Sequence, residues 1–311
     1  MNNMYVTSVV GAPSLTAVIF CNEDMKNINW KSIAEEAYLR LNNNDIKLSK
    51  MAIVVPKSED EFDFKFIQVK NQNDEVTFET NANCGNSMLA SAKIIFNLYK
   101  NKSVVITNID TKFKLLVEDK EDTFCYRVLS IENKNIDSFK MFENEHDFCI
   151  IFNGKIIKYS LINAVNEYIL INAEDIGINS KEQLLELDNE DNKYLPIVKA
   201  IRKMIIEKYN MDRESEFPKI AVIYSKDDLA ARTVYLDKWH SGLPITGTIT
   251  IMLATKMKGT IIYDCNNNKE KILTPKGEKM LKVDIDDNGK VKMILGTLSK
   301  IGDLQRIQKI G

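Results

Sequence analysis

The sequence predicts an α/β (α+β) protein of two similar halves, each a mixed or antiparallel sheet wrapped around a central helix. Three observations carry that prediction. Strand-like and helical runs alternate along the chain, separable by their apolar periods of about 2 and 3.6 residues. The order of elements in the first half returns in the second. Each half also holds one strongly apolar helical run entered through a turn of small residues that includes a glycine, Gly85 in the first half and Gly247 in the second.

Taken in order, Ala17-Val18-Ile19-Phe20-Cys21 reads as a buried strand, and a helical pattern over 30–41 ends at Asn42-Asn43-Asn44-Asp45. Met51-Ala52-Ile53-Val54-Val55 is a second apolar strand, stopped by Pro56, which cannot donate to a ladder. Alternation over 62–69 and a short run over 75–79 predict two further strands before a helix over 88–98. Strands near 103–106, 112–117 and 123–131 complete the first half.

The second half repeats this order. Tyr168-Ile169-Leu170-Ile171-Asn172-Ala173-Glu174-Asp175 echoes Ala17-Val18-Ile19-Phe20-Cys21-Asn22-Glu23-Asp24. A longer helical region over 181–209 follows, its second segment started near Pro196. Pro218-Lys219-Ile220-Ala221-Val222 matches Ser49-Lys50-Met51-Ala52-Ile53, and Ile245-Thr246-Gly247-Thr248 matches Asn83-Cys84-Gly85-Asn86. The separations are similar, 169 residues from Lys50 to Lys219 and 162 from Gly85 to Gly247. Three blocks in one order at one coarse period define a duplicated unit. We place the halves at 1–140 and 141–311, with the last strand free to return to the first half, and expect the two central helices to start at one cleft between them.

At 311 residues, with 44% hydrophobic and 28% charged residues, the chain has the composition of a soluble globular protein. A formal charge of −2, with lysines interleaved among Asp, Glu and Asn, argues against a nucleic-acid binder. No run approaches 18 apolar residues and the N-terminus lacks a basic signal region, so neither a membrane span nor a secretory signal is expected. The five cysteines are odd in number and widely spaced with no C-x-x-C pair. That pattern fits a reducing cytoplasm and supports neither a disulfide framework nor a zinc site.

The turn Asn83-Cys84-Gly85-Asn86-Ser87 is the chemically suggestive stretch. Small polar residues at a strand-to-helix junction leave backbone N–H groups at a helix start, where an anion such as a carboxylate is favoured. The same dipole lowers the pKa of a thiol there, making Cys84 a candidate reactive thiolate. The alternative is that Asn83 caps the helix and Cys84 packs as a small hydrophobe.

With the repeat and this turn together, the chain resembles the PrpF family of isomerases, which have the diaminopimelate-epimerase-like fold. Asn83-Cys84-Gly85-Asn86 resembles the family's Asn-Cys-Gly-Asn turn, and Ser49-Lys50-Met51-Ala52-Ile53-Val54 its Ser-Lys-Val-Ala-Ile-Val strand. Ile171-Asn172-Ala173-Glu174-Asp175-Ile176-Gly177 is similar to a segment ending Ala-Glu-Asp-Leu-Gly, and Pro218-Lys219-Ile220-Ala221 to Pro-Lys-Val-Ala. Asp237-Lys238-Trp239-His240 with Pro244-Ile245-Thr246-Gly247 resembles Gly-Lys-Met-His…Thr-Gly-Ala, and Leu298-Ser299-Lys300-Ile301-Gly302 is similar to the closing Ser-Arg-Thr-Ala-Arg. One segment departs: where the family has Arg-Gly-Gly-Thr-Ser-Lys-Gly, this chain has Val10-Gly11-Ala12-Pro13-Ser14-Leu15-Thr16, without the Arg and Lys that would pair with carboxylates.

The resemblance implies a cofactor-independent, metal-free isomerase that shifts or flips a C=C bond in a small unsaturated di- or tricarboxylate of aconitate or itaconate type. Lys50 and Cys84 are the catalytic residues it implies. Asn83, Gly85, Asn86, Ser87, His240, Thr246, Gly247, Thr248, Ser14 and Ser299 are the expected substrate contacts. Lys50 enters a strongly apolar strand, where desolvation favours a neutral, basic amine; the alternative is a solvated strand-edge lysine. His240 is one of two histidines, the other, His146, lying in a charged run read as solvated. The expected partner is a small carboxylate, with a homodimer as the one assembly considered. Two other readings remain: a two-base racemase of the same fold, disfavoured because Thr246 stands where a second cysteine would be needed, and a non-catalytic carboxylate-binding relative.

Overall fold

The computed structural model describes residues 3–310 except 11, 13, 45, 47, 73–74, 142–147, 189–191, 213–214, 236–237, 265–268 and 301–306. His146, Gly11, Pro13, Asp237, Ile301 and Gly302 therefore lie outside the described residues. The chain divides into two compact units. Unit 1 comprises Met1–Ser130 with Leu295–Gly311, and unit 2 comprises Ile131–Ile294.

Unit 1 opens with β1 (Asn3–Thr7) antiparallel to β2 (Thr16–Phe20). Helix α1 (Trp30–Asn42) crosses over to β3 (Lys50–Pro56), which runs parallel to β2 and antiparallel to β4 (Glu61–Gln72). After β5 (Glu75–Glu79), helix α2 (Gly85–Tyr99) crosses to β6 (Ser103–Asn108), parallel to β4. β7 (Lys114–Asp119) and β8 (Thr123–Val128) continue the ladder antiparallel.

Unit 2 uses the same plan. β9 (Cys149–Phe152) and β10 (Lys155–Asn163) form a hairpin, and β10 pairs antiparallel with β11 (Glu167–Asn172). Helices α3 (Lys181–Leu185) and α4 (Tyr194–Lys208) lead to β12 (Lys219–Tyr224), parallel to β11 and antiparallel to β13 (Ala230–Tyr235). Following the short β14 (Lys238–Trp239), helix α5 (Ile245–Ala254) leads to β15 (Lys271–Thr274), parallel to β13, and β16 (Gly277–Ile285). The chain leaves unit 2 within β17 (Val291–Ser299), whose Leu295–Ser299 portion pairs with β8, and β18 (Gln308–Ile310) pairs with β1. The succession antiparallel, parallel through a helix, antiparallel, parallel through a helix is thus the same in both units.

Each parallel step needs a crossover helix, and each crossover covers a different face of its sheet. In unit 1, Ala17, Ile19, Met51, Ile53 and Val55 share a core with Ala34, Ala37 and Leu41 of α1. Strand alternation then sends Thr16, Val18, Lys50 and Ala52 to the opposite face, which α2 covers. In unit 2, Ile169, Ile171, Ile220 and Val222 pack with Val198, Ile201 and Ile205 of α4, leaving Tyr168, Leu170, Lys219 and Ala221 on the α5 face.

The central helices differ from the outer ones in burial. Every residue of α5 is buried, as is the first half of α2 from Gly85 to Ala92. That is the pattern of a helix surrounded by protein rather than laid on a surface. Each fully buried Leu, Ile or Met contributes about 1.5–3 kcal/mol, and Met88, Leu89, Ile94 and Ile95 are all 0% exposed. The sequence reading started α2 at residue 88; it starts at Gly85, so the turn residues are themselves the first helical turn.

The return strand is held by close backbone approach. Gly296 lies opposite Tyr126 in the β17–β8 ladder, and a Cβ there would overlap the tyrosine ring. Gly296→Ala is expected to lower stability by about 1–3 kcal/mol through overpacking, read as a lower denaturant midpoint at unchanged slope.

Candidate functional site

Cys84 is the N-cap of α2, in extended conformation, and its side chain caps no helix amide. Its carbonyl accepts the first helical bond, from Met88 N at 3.0 Å. The amides of Gly85, Asn86 and Ser87 have no acceptor among the described residues. Asn83 does not cap the helix. Its Oδ1 accepts from Asn108 Nδ2 at 3.0 Å and from the Thr111 hydroxyl, so it ties the turn to the end of β6. Asn108, 0% exposed, also donates to Ala82 O at 3.2 Å. The strand-to-helix turn is therefore braced from behind while its amides stay uncommitted.

The sulfur of Cys84 is held by a short polar chain. Ser87 Oγ donates to Cys84 Sγ at 3.1 Å, and Thr16 Oγ1 lies 3.1 Å from Ser87 Oγ. A hydroxyl has one proton; with that of Ser87 given to sulfur, Thr16 must donate to Ser87. Both hydroxyl residues are buried. Lys50 joins this group through the sheet: Ala17 pairs with Met51 in the parallel ladder, so Lys50 is the neighbour of Thr16 on the α2 face, about 5 Å across the ladder. Lys50 is half-buried and makes no hydrogen bond or ion pair among the described residues. Ser14, in the turn before β2, has a buried Oγ with no hydrogen-bond partner among the described residues. Lys50, Ser87 and Cys84 are thus linked, through Thr16, at the start of α2. Asn86 is buried in the same first turn. Ser299 is exposed at the end of β17, opposite Thr123.

Unit 2 builds a related helix start with other side chains. Pro244 is the N-cap of α5, with no side-chain cap, and its carbonyl accepts from Thr248 N at 2.9 Å. The equivalent first bonds, Met88 to Cys84 and Thr248 to Pro244, are 160 residues apart. This corrects the sequence pairing of Cys84 with Thr246 by two residues: the counterpart of Cys84 is Pro244, and Thr246 and Gly247 correspond to Asn86 and Ser87. The hydroxyl of Thr248 donates to Pro244 O at 3.1 Å, turning back into its own helix. Thr246 Oγ1 accepts from Asn166 Nδ2 at 3.3 Å.

The strand partners correspond as well. Tyr168 pairs with Lys219 in the β11–β12 ladder, just as Thr16 neighbours Lys50. A Cβ on Gly247 would sit 2.8 Å from Tyr168 Oη, so glycine is required where the tyrosine hydroxyl meets the helix. One unit therefore sets hydroxyl against hydroxyl at this contact, the other tyrosine against glycine. His240 is buried; its backbone N–H donates to Thr233 O at 2.8 Å and its Nδ1 accepts from Gly242 N at 3.1 Å. The neutral ring consequently carries its proton on Nε2.

The remaining helices make the contrast. Asn29 Oδ1 accepts from Ser32 N at the start of α1, and Ser180 Oγ from Gln183 N at the start of α3. Asn192 Oδ1 accepts from Tyr194 N and Leu195 N at the start of α4. Only α2 and α5, among the five described α-helices, begin without a side-chain cap on their first amides.

Burial, helped by Glu23, pushes Cys21 up to about 11, so it is inert at neutral pH. No group of three or more His, Cys, Asp or Glu side chains among the described residues is arranged to hold a metal ion. A cavity in unit 2 is lined by Lys256, Glu270, Asp284 and Lys292, past the C-terminal end of α5.

Sequence reasoning missed Lys279 on β16. Leu281 and Val283 alternate inward, and the same phase carries Lys279 inward, which is the signal that would have found it. It is 9% exposed, and Nζ donates to Leu243 O at 2.5 Å, beside the start of α5. Burial alone pulls its ammonium down to about 8.

No family model and no curated protein sequence matches this chain. Solved structures do. Methylitaconate-delta-isomerase aligns with a TM-score of 0.66 at 15% identity, over 99% of this chain and 95% of that one. A probable proline racemase from Agrobacterium radiobacter K84, with bound carbonate, gives 0.59 at 12% identity over 95% and 90%. A hydroxyproline epimerase from Agrobacterium vitis, with bound trans-4-OH-L-proline, gives 0.58 at 12% over 99% and 91%. The chain has the diaminopimelate-epimerase-like fold that the motif resemblance implied.

Two outcomes follow from this geometry. Asn83→Ala leaves Asn108 and Thr111 without their shared acceptor and is expected to cost about 1–3 kcal/mol, measured by chemical denaturation. Lys279 has a folded value of about 8 against an ordinary 10.5, so the unfolded chain binds more protons between those values. Stability should therefore rise as pH increases from about 8 to about 10.5, by up to about 3 kcal/mol, and Lys279→Met should flatten that rise in pH-dependent melting.

Proposed function

We propose that the protein is a cofactor-independent isomerase that moves or flips a C=C bond in a small unsaturated di- or tricarboxylate. The observation that carries this reading is that, among the described residues, no side chain accepts from the first amides of α2 and α5, whereas Asn29, Ser180 and Asn192 do so at α1, α3 and α4. Buried amides at a helix N-terminus with no acceptor among the described residues are suited to an anion, and at α2 they adjoin a hydrogen-bonded thiol and a lysine. The two-residue correction strengthens one arm of the reading. A two-base racemase with a cysteine from each half has no second thiol here, because Pro244 carries no proton to exchange.

In this mechanism a substrate carboxylate binds the amides of Gly85, Asn86 and Ser87. A base at this site, Lys50 or Cys84, removes a proton from the carbon conjugated with that carboxylate through the double bond. The electron pair delocalises over the allylic carbons and into the carboxylate, where the helix start stabilises the growing charge. Return of a proton to the other end of the allylic system shifts the double bond; return to the same end after rotation flips it. Composition and net proton count are unchanged, so no co-reactant is consumed. Ser87 and Thr16 hold the sulfur in place.

The test is solvent exchange. In D₂O with unsaturated di- and tricarboxylates, NMR should show deuterium entering allylic positions as the double bond moves, and exchange only at an amino-acid α-carbon would instead establish a racemase. Cys84→Ser should lower kcat by about 10²–10⁴; full activity would remove Cys84 from the chemistry.

A further inference from the structure

Lys279 is a buried cation that the proposed reaction does not use. Its one recorded bond is to the carbonyl of Leu243, and no carboxylate pairs with it among the described residues. Leu243 immediately precedes Pro244 and α5, so the ammonium stands beside the positive end of that helix. The first amides of α5, from Ile245 to Gly247, also lack acceptors among the described residues. Two like charges buried together are unfavourable until an anion enters.

A second buried donor lies on the same side of the sheet. Ala230 and Val234 pack into the α4 core with Trp239, and alternation along β13 places Thr233 on the α5 face. Thr233 is 0% exposed and its Oγ1 has no hydrogen-bond partner among the described residues. A lysine, an orphaned hydroxyl and a few amides match the single charge of a carboxylate better than the double charge of a phosphate.

We propose that Lys279, with the first amides of α5, binds a carboxylate group of the substrate within unit 2. This rests on the reading of the protein as a carboxylate isomerase, and makes Lys279 a binding residue for one substrate carboxylate. The burial that lowers its ammonium is what an anion partner would relieve.

Calorimetric titration with maleate tests the assignment without turnover. Lys279→Gln should weaken binding about tenfold or more, and Lys279→Arg, which keeps the charge, by no more than about threefold. A cooperatively melting Lys279→Gln protein that binds maleate as wild type does would overturn the proposal. Lys50→Met protein carrying ¹³C at lysine Cε gives a check that needs no variant at position 279: maleate should still shift a lysine resonance, and none shifting would also overturn it. If binding behaves as expected but no deuterium exchange occurs with any substrate, the isomerase reading fails while the Lys279 site stands.

Discussion

Much of this structure depends on one constraint: a helix buried on all sides begins at a strand end with no side chain available to cap it. Inside protein, the first amides of a helix cannot turn to water, and leaving them without acceptors is costly. The outer helices solve this with Asn29, Ser180 and Asn192. At α2 and α5 the cap positions are Cys84 and Pro244, which do not serve. A fold that keeps this arrangement in both units keeps two places where an anion is the natural cap.

The rest of each unit braces those helix starts. Asn83, Asn108 and Thr111 fix the turn from behind α2, and the Thr16–Ser87–Cys84 chain fixes the sulfur from the sheet side. At α5 the bracing is steric, Tyr168 against Gly247, with Asn166 on Thr246 and the His240 loop nearby. Duplication supplied one backbone scheme, and divergence of side chains gave the two helix starts different chemistry: a thiol and hydroxyls at one, a buried ammonium beside the other.

Much of the fold was legible in the sequence because burial writes itself as periodicity. Apolar runs at 17–21, 51–55, 168–171 and 219–223 mark strands covered on both faces, and their repeated order gave the duplication. The motif residues Lys50 and Cys84 were legible too, as members of a turn and a strand. Their proximity was not, since it comes from the parallel β2–β3 register that makes Lys50 the neighbour of Thr16, and through it of Ser87.

By itself the sequence determined the two-unit plan, the apolar central helices and the thiol at the first of their starts, because each follows from local pattern. Tertiary structure decided what the sequence left open. It assigned Asn83 to bracing rather than capping, moved the counterpart of Cys84 from Thr246 to Pro244, and turned Thr248 inward. It also buried Lys279 with no carboxylate partner among the described residues. The physical reason is common to all four: where a polar group's hydrogen bonds go depends on residues far away in the chain, and only the folded backbone brings those partners within reach.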